Sequence, residues 1–373
     1  MTTTASPPPP SACEESRVFP LLAEPGLYEP STIDLVADEQ GRETWLGIFE
    51  SHLEGLVKLA AESQGNTADA RRRAQTLGEQ FGAVLTDFRG NACAHGRASV
   101  WRFCTIRQQL LRRHGFDDPY RSIKRCENQA ALALLLEVLS EVDALPLPKK
   151  LPALLENIFA GNLFDLGCAG TIEMYESGQA EFRAARRGLP PRPWSVDDVD
   201  ALVSRFSGGP VHRKAVVFVD NAGGDVVLGM IPFARYLLER GTAVVLTANS
   251  SPALNDITHE ELVELMESVA HLDPLIESAR RDGRLALVAS GNGVPLIDLS
   301  AVSPELADIA ADADLLVIEG MGRALETNFR ARFTVDTIKL AVIKEPHVAR
   351  TIGGKLYEPV CRFEPAAGQL PSS

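Results

Sequence analysis

Acid and amide side chains stand where two apolar runs of the sequence stop. One run ends at Asp220-Asn221, and Asp256 lies just beyond the next run, Ala243–Ala248. In an open α/β sheet, ligands gather outside the carboxyl ends of the strands. Two carboxylates and an amide oxygen there could hold a hard cation such as Mg²⁺ or Mn²⁺, with a substrate phosphate beside it. The alternative is that Asp and Asn only turn and cap the chain after each strand.

Two later apolar runs also end in residues suited to phosphate chemistry. Glu319 begins the turn E-G-M-G-R, whose two glycines let backbone N–H groups approach a phosphate, and Arg323 closes it. Asn328 follows and could face the same crevice. Lys344 ends the last run, where its ammonium group would offset charge on a transferred phosphoryl group. Each residue alone also fits a solvated turn or surface position, but the convergence of several strand ends favours a phosphate site.

The elements that position these residues follow from hydrophobic periodicity. Residues 43–142 repeat apolar side chains every three or four positions, which predicts amphipathic helices. Beyond a proline-rich joint at 189–194, helices alternate with short runs that are apolar on both faces, as in buried and mainly parallel sheets. We therefore predict a helical N-terminal region followed by a three-layer α/β domain. The predicted strands are 214–219, 243–248, 285–289, 314–318 and 339–343.

Shifts in composition divide the chain into four parts. Residues 1–20 include a run of prolines and predict a disordered, proline-rich tail. Residues 21–188 are expected to form a mainly α-helical subdomain, and residues 189–363 the α/β domain that carries the metal and phosphate sites. Residues 364–373 are rich in Pro, Ala, Gly and Ser, and predict a flexible tail.

Composition also excludes several classes of protein. With 45% hydrophobic and 23% charged residues the chain can bury a large core, and its net charge of −13 argues against a nucleic-acid partner. No stretch approaches the ~20 apolar residues that span a bilayer, so we expect no membrane partner. The six cysteines are scattered without a C-x-x-C pair, which indicates reduced thiols and a cytoplasmic protein. The oligomeric state stays open.

Five longer segments carry a resemblance to a known family. Over nearly its whole folded length the chain is similar to the damage-control phosphatases, metal-dependent enzymes first catalogued as domain-of-unknown-function 89. Within the family it resembles the subgroup that includes the C-terminal domain of the fourth pantothenate kinase-like protein, which the motif E-G-M-G-R distinguishes. The similar segments are AGNLFDLG (160–167), FVDNAGGDVVLGMIPFARYLLERG (218–241), ALNDITHEEL (253–262), EGMGRALETN (319–328) and KLAVIK (339–344).

The resemblance implies a Rossmann-like α/β/α sandwich with an added helical subdomain, in agreement with the pattern of elements. It also implies one divalent metal ion (Mn, Co, Ni or Mg) held by Asp220, Asn221 and Asp256. Asp220, Glu319 and Lys344 would then be the catalytic residues. The residues expected to bind the substrate and its phosphate are Asn249, Arg323, Asn328, Asn162 and Asp165.

The implied activity is metal-dependent hydrolysis of phosphate monoesters of small metabolites, damaged ones among them. Expected substrates are 4′-phosphopantetheine derivatives or sugar phosphates, so the expected partner is a small phosphorylated metabolite. Two other functions stay open: an S-adenosylmethionine-dependent carboxyl methyltransferase, and a metabolite-binding protein without catalysis. The acid–amide turn after the first strand differs from the G-x-G turn expected for that cofactor. The sequence also leaves open whether water attacks phosphorus directly or Asp220 forms an aspartyl-phosphate.

Overall fold

The computed structural model describes residues 16–163 and 182–366. Within them, helices surround a central seven-stranded sheet, which confirms the predicted α/β sandwich. Most of both predicted tails lies outside the described residues, as does Asp165. Among the described helices we find none with the length and apolar character needed to span a membrane.

The sheet contains all five strands that the sequence predicts, each within three residues of its predicted ends. The seven strands are β1 (Val196–Asp197), β2 (Lys214–Phe218), β3 (Ala243–Ala248), β4 (Leu285–Ala289), β5 (Leu315–Glu319), β6 (Asp336–Val342) and β7 (Pro359–Glu364). Their spatial order is β1-β7-β6-β5-β2-β3-β4, and all neighbours are parallel except β6 and β7. Sequence reasoning missed β1 and β7, because β1 has only two residues and β7 mixes polar with apolar side chains.

The helical region predicted before the sheet is present. The numbered α-helices are α1 (Glu39–Ser63), α2 (Ala68–Gly90), α3 (Val100–Arg113), α4 (Arg121–Asp143), α5 (Leu147–Leu163), α6 (Val199–Gly208), α7 (Ile231–Glu239), α8 (His259–Leu272), α9 (Pro274–Arg281), α10 (Pro304–Ala310) and α11 (Pro346–Ile352). Residues 182–188 are also helical. Two π-helices, Asp225–Met230 and Met321–Thr327, follow the turns after β2 and β5. Thr258 and Glu261 form a capping box at the start of α8.

Side chains alternate across the sheet into two hydrophobic cores. Ala215 and Val217 of β2 face a core shared with α4 and α5, while Val216 and Phe218 face a core shared with α1, α2 and α3. All four side chains are at most 1% exposed, which explains why β2 reads as apolar on both faces. Helices from the N-terminal region therefore cover both faces of the sheet. The predicted boundary between residues 188 and 189 stays a prediction.

The strand order places a switch point between β2 and β5. From β2 the chain builds outward through β3 to β4, then returns to the other side of β2 with β5 and continues to β6. At such a point the loops after two neighbouring strands run in opposite directions and open a crevice at the carboxyl ends. The turns after β2, β3, β5 and β6 all carry residues that the sequence predicts for the site.

Candidate active site

Three buried carboxylates meet at the switch point. Asp220 follows β2, Glu319 ends β5, and Asp225 begins the first π-helix. One oxygen of each lies within 4.8 Å of the others. Sequence reasoning missed Asp225, although it closes the segment D-N-A-G-G-D. Its approach to Asp220 depends on the tight turn at Gly223, where φ is +78°.

Asn162 on α5 holds these carboxylates together. Its Nδ2 donates hydrogen bonds to Glu319 Oε1 (2.9 Å), Asp225 Oδ2 (3.1 Å) and Asp220 Oδ2 (3.4 Å). Its Oδ1 accepts a hydrogen bond from the backbone N–H of Val342 in β6 at 3.0 Å. The structure therefore places Asn162 where it positions the acids, and its contact with phosphate stays a prediction.

Asn221 and the backbone fix the cluster from the other side. The Nδ2 of Asn221 donates to Asp220 Oδ2 and to Asp225 Oδ2, both at 2.9 Å. The backbone N–H of Asp220 donates to Glu319 Oε2 at 3.0 Å. Each carboxylate of the cluster is therefore bound to at least one of the other site residues, which restricts its orientation.

Asp256 reaches the same place from the loop after β3. Its backbone forms a bridge with Asn221, so the two predicted strand ends are joined. Its Oδ2 accepts hydrogen bonds from Arg323 Nη2 at 2.6 Å and from Asn249 Nδ2 at 2.9 Å. Arg323 also forms an ion pair with Asp220 Oδ1 and is only 1% exposed. The guanidinium group therefore links the two acids that the sequence predicts as metal ligands.

A cavity of about 200 Å³ opens beside these residues. Asp220, Asn221, Asp256 and Lys344 all line it, so the predicted metal ligands and the predicted catalytic lysine share one pocket. A larger cavity of about 620 Å³ lies between α4 and α8, and none of the predicted site residues lines it. The helical region supplies the facing wall of the smaller cavity, with Trp45, Ile48, Phe49, His52, Val100, Cys104 and Arg107.

Three predicted binding residues are buried behind the cavity wall. Asn249 and Arg323 bind Asp256, and the Oδ1 of Asn249 accepts from Arg323 Nη2 at 3.2 Å. Asn328 follows the second π-helix, where its Nδ2 donates to the backbone oxygen of Arg323 at 2.9 Å and its Oδ1 accepts from the Tyr28 hydroxyl at 2.9 Å. These contacts support the loop, and direct binding of phosphate by the three residues stays a prediction.

The electrostatics of the cluster suit a bound cation. Burial, reinforced by the charge of Asp225, raises the pKa of Glu319 well above its usual range. Burial also raises the pKa of Asp225, against the opposing charge of Lys344, and raises the pKa of Asp256 to about 8. The Oδ1 of Asp225 is buried without a hydrogen-bond partner. A divalent cation would hold such carboxylates in their ionised form, so the residues present fit one.

Two sets of residues are candidates for holding this cation. The sequence predicts Asp220, Asn221 and Asp256, which line the cavity together. The mutual distances of their oxygens select Asp220, Asp225 and Glu319. Both sets consist of hard oxygen donors, as Mg²⁺ and Mn²⁺ require, and Asp220 belongs to both.

Glu326 is a cavity residue that sequence reasoning missed. It lies on the second π-helix, one turn beyond the E-G-M-G-R turn, and lines the cavity together with Glu345. Burial and the charge of Glu345 raise the pKa of Glu326 to about 8. Its carboxyl group is therefore mostly protonated at neutral pH and can donate a proton. Its place between Arg323 and Asn328, two predicted binding residues, was the available signal.

Gly320 packs directly against the carboxylate of Asp220. Its φ is +101°, and a Cβ at this position would lie 2.3 Å from the Cγ of Asp220. Gly320→Ala is therefore expected to displace the Asp220 carboxylate and lower kcat/KM for phosphate release about 100-fold. Backbone strain should also cost about 1–3 kcal/mol of unfolding free energy. Steady-state kinetics and thermal unfolding measure the two effects.

Gly241→Ala is the matched control for this substitution. Gly241 also has a positive φ, +89°, but a Cβ there would meet nothing within 4 Å. The control should lose comparable stability and keep wild-type kinetics. If Gly320→Ala and Gly241→Ala had equal kcat/KM values, a side chain at position 320 would not disturb the catalytic role of Asp220.

Comparison with known proteins identifies the family. The model of the damage-control phosphatase ARMT1-like domain matches residues 37–360. Damage-control phosphatase At2g17340 of Arabidopsis thaliana is 39% identical over 322 residues, which cover 86% of this chain and 87% of that protein. The 4′-phosphopantetheine phosphatase of Mus musculus is 35% identical over 396 residues, which cover 93% of this chain and 48% of that protein.

Two further matches concern chain length and fold. Pantothenate kinase 2 of Arabidopsis thaliana is 43% identical over 376 residues, and the chain spans 42% of its length. The chain thus covers less than half of this kinase and of the mouse phosphatase. The crystal structure of a DUF89 family protein from Pyrococcus horikoshii shares the fold, with a TM-score of 0.59 and 19% identity over 85% of this chain and 96% of that one. The chain belongs to the family of the damage-control phosphatase ARMT1-like domain.

Proposed function

We propose that this chain is a metal-dependent phosphatase that hydrolyses phosphate monoesters of small metabolites. The observation that carries the proposal is the cavity in which Asp220, Asn221 and Asp256 share a wall with Lys344 at the switch point of the sheet. Acidic groups that fit a divalent cation, beside an ammonium group that can bind phosphate, suit the transfer of a phosphoryl group. Membership of a family of phosphatases supports the same activity.

The residues of the chain would position and neutralise the phosphoryl group. A divalent ion held by Asp220, Asn221 and Asp256, with Mn, Co, Ni and Mg as candidates, would supply Lewis acidity. Lys344 would bind a phosphate oxygen and offset charge that develops in the transition state. Arg323 would keep the carboxylates of Asp220 and Asp256 in place through its two ion pairs. Attack by water and attack by Asp220 both stay open.

We propose a 4′-phosphopantetheine derivative as the substrate, with sugar phosphates as the second candidate class. The mouse relative carries that substrate in its name. The aromatic side chains of Trp45 and Phe49 on the cavity wall suit a leaving group with apolar parts. The methyltransferase and the binding protein without catalysis are the alternatives. The cytoplasm is the proposed compartment, supported by the free thiols of the described cysteines.

A screen for phosphate release tests the activity. The purified chain is incubated with 4′-phosphopantetheine and a series of sugar phosphates, each with Mg²⁺, Mn²⁺, Co²⁺ or Ni²⁺. We expect phosphate release with at least one of these metals and its loss in excess chelator. Absence of release in every combination, together with calorimetric binding of S-adenosylmethionine, would favour the methyltransferase instead.

The pH dependence of this activity should report on Glu326. As a general acid, Glu326 would protonate the leaving-group oxygen, so kcat should fall as pH rises through about 8, the value to which burial and Glu345 raise its pKa. Glu326→Gln is expected to remove this fall and lower kcat about 100-fold. The other charged or titratable residues on the described cavity wall are His52, Cys104, Arg107, Asp220, Asp256, Lys344 and Glu345.

Glu345→Gln tests whether the group that titrates in the pH profile is Glu326 or a neighbouring residue. Removal of the negative charge of Glu345 should lower the pKa of Glu326 and move the fall in kcat to lower pH. The measurement is kcat as a function of pH for the wild type, Glu326→Gln and Glu345→Gln. A fall at unchanged pH in Glu326→Gln would assign the titration to another group.

A further inference from the structure

A second cavity, lined mainly by the helical region, adjoins the candidate active site. Its volume is about 550 Å³, and it lies among α1, α2, α3 and α4. Apolar side chains supply much of its wall, among them Leu53, Leu56, Phe81 and Ile123. We call it the tail cavity. The residues that line both the tail cavity and the active-site cavity are Phe49, His52, Arg107, Leu254 and Asn255.

The volumes of the active-site cavity and the tail cavity indicate that the two form one binding site. Small-molecule sites usually measure roughly 300–1,000 Å³. The active-site cavity, at about 200 Å³, falls below that range, so it would take a phosphate ester group and little more. The adjoining 550 Å³ of the tail cavity brings the combined space well into the range. An elongated ligand could therefore occupy both.

Arg107 stands at the junction, and one N–H of its guanidinium group has no acceptor. Its side chain is only 6% exposed, and its Nε is buried without a hydrogen-bond partner. Its Nη2 makes a long contact with Cys104 Sγ at 3.7 Å, and the guanidinium lies over the ring of Phe49 at 5.3 Å. Arg323, buried to a similar degree, forms ion pairs with two carboxylates. Arg107 forms no ion pair with any described carboxylate within 4.0 Å.

A buried donor without a partner costs free energy unless a ligand supplies the acceptor. Leaving such a group without an acceptor destabilises the free protein, and more so when the group is charged. Arg107 lines both cavities, so its guanidinium group can donate to an oxygen of a ligand bound at their junction. The apolar wall beyond the junction would then enclose an apolar part of the same ligand, because unpaired polar groups are disfavoured there.

We propose that the substrate is an elongated phosphate monoester whose leaving group extends from the active-site cavity into the tail cavity. Arg107 donates a hydrogen bond to a hydroxyl or carbonyl oxygen of this leaving group, close to the ester. This inference rests on the proposed phosphatase activity and narrows its substrate class. The oxygen must lie within a few bonds of the ester, because Arg107 and Lys344 line the same 200 Å³ cavity. A compact sugar phosphate would leave the tail cavity empty and lose that contact area.

Two glycines on α1 provide a matched test. Gly55 lines the tail cavity, whereas Gly47 lines neither cavity. At both positions an added Cβ would meet nothing within 4 Å. Gly55→Trp should fill the tail cavity, whereas Gly47→Trp should place the same side chain in solvent. The probes are 4′-phosphopantetheine as the long ester and glycerol 3-phosphate as the compact one. The ratio of their kcat/KM values is the quantity measured.

We expect Gly55→Trp to lower this ratio at least tenfold, mainly through KM for the long ester, and Gly47→Trp to leave it unchanged. An equal ratio in both variants would overturn the inference while leaving the phosphatase proposal intact. If the wild type released phosphate from neither probe with any of the four metals, the inference and the proposed function would fail together.

Arg107→Met tests the contact at the junction. Methionine fills similar apolar volume but offers no N–H donors. The variant should lose kcat/KM for the long ester by ten- to a hundredfold, and Arg107→Lys should recover part of it. A Tm no lower than that of the wild type in both variants would exclude a folding defect as the cause. Wild-type kinetics in Arg107→Met would contradict the assigned contact.

Discussion

Replacing Asp220 by asparagine is expected to lower kcat/KM for phosphate release by about 10³-fold, equivalent to ~4 kcal/mol of transition-state stabilisation. Asp220 contacts Asn162, Asn221 and Arg323 and also lines the cavity. The substitution removes one negative charge from the proposed metal site and one carboxylate partner from Arg323. Among the described residues, Asp220 alone belongs to both candidate ligand sets, so we expect no neighbour to replace it.

Thermal unfolding with and without Mn²⁺ checks the cause of this loss. A ligand that binds only the native state raises Tm, so Mn²⁺ should stabilise the wild type and not Asp220→Asn. The control is Asp308→Asn, since Asp308 is exposed on α10, where it forms an ion pair with Arg17 far from the cavity. The same titration of Asp256→Asn and Asp225→Asn tells which ligand set holds the cation. Phosphate release and a Mn²⁺-dependent Tm in Asp220→Asn would exclude the proposed site.

The parts of the fold that were predicted are those that local patterns determine. Strand β2 is apolar on both faces because each face packs on a different core, and the resulting run Ala215–Val219 is visible in the sequence. Its end at Asp220 then locates the site at the carboxyl edge of the sheet. Strand β7 was missed because half of its side chains are only partly buried, so its pattern is neither continuous nor alternating.

The parts of the site that were missed depend on contacts between distant segments. Asp225 joins Asp220 through a turn on which α5 packs closely, since a Cβ at Gly161 would lie 2.8 Å from the Cα of Asp225. Arg107 belongs to an amphipathic helix, and the pattern of α3 predicts its buried face. The pattern does not predict that the guanidinium group lacks a carboxylate partner, because the partner would have to come from another element.

Lys344→Met is expected to lower kcat about 100-fold while the Mn²⁺-dependent rise in Tm persists. Lys344 lines the cavity next to the acids, and its charge opposes the raised pKa values of Asp225 and Glu319. A bound phosphate would attract the same ammonium group more strongly as charge builds up on its oxygens. The loss should therefore fall mainly on kcat, with a smaller change in KM.

Two further lysine variants separate charge from packing in this prediction. Lys344→Arg keeps the positive charge and should retain more activity than Lys344→Met, although a guanidinium group differs in shape from an ammonium group. Lys214→Met removes a lysine at the opposite end of β2, where it pairs with Asp312, and should leave kcat unchanged. If Lys344→Met lost Mn²⁺ binding together with activity, Lys344 would act by holding the carboxylates in place. The phosphate contact would then have to come from another residue of the cavity.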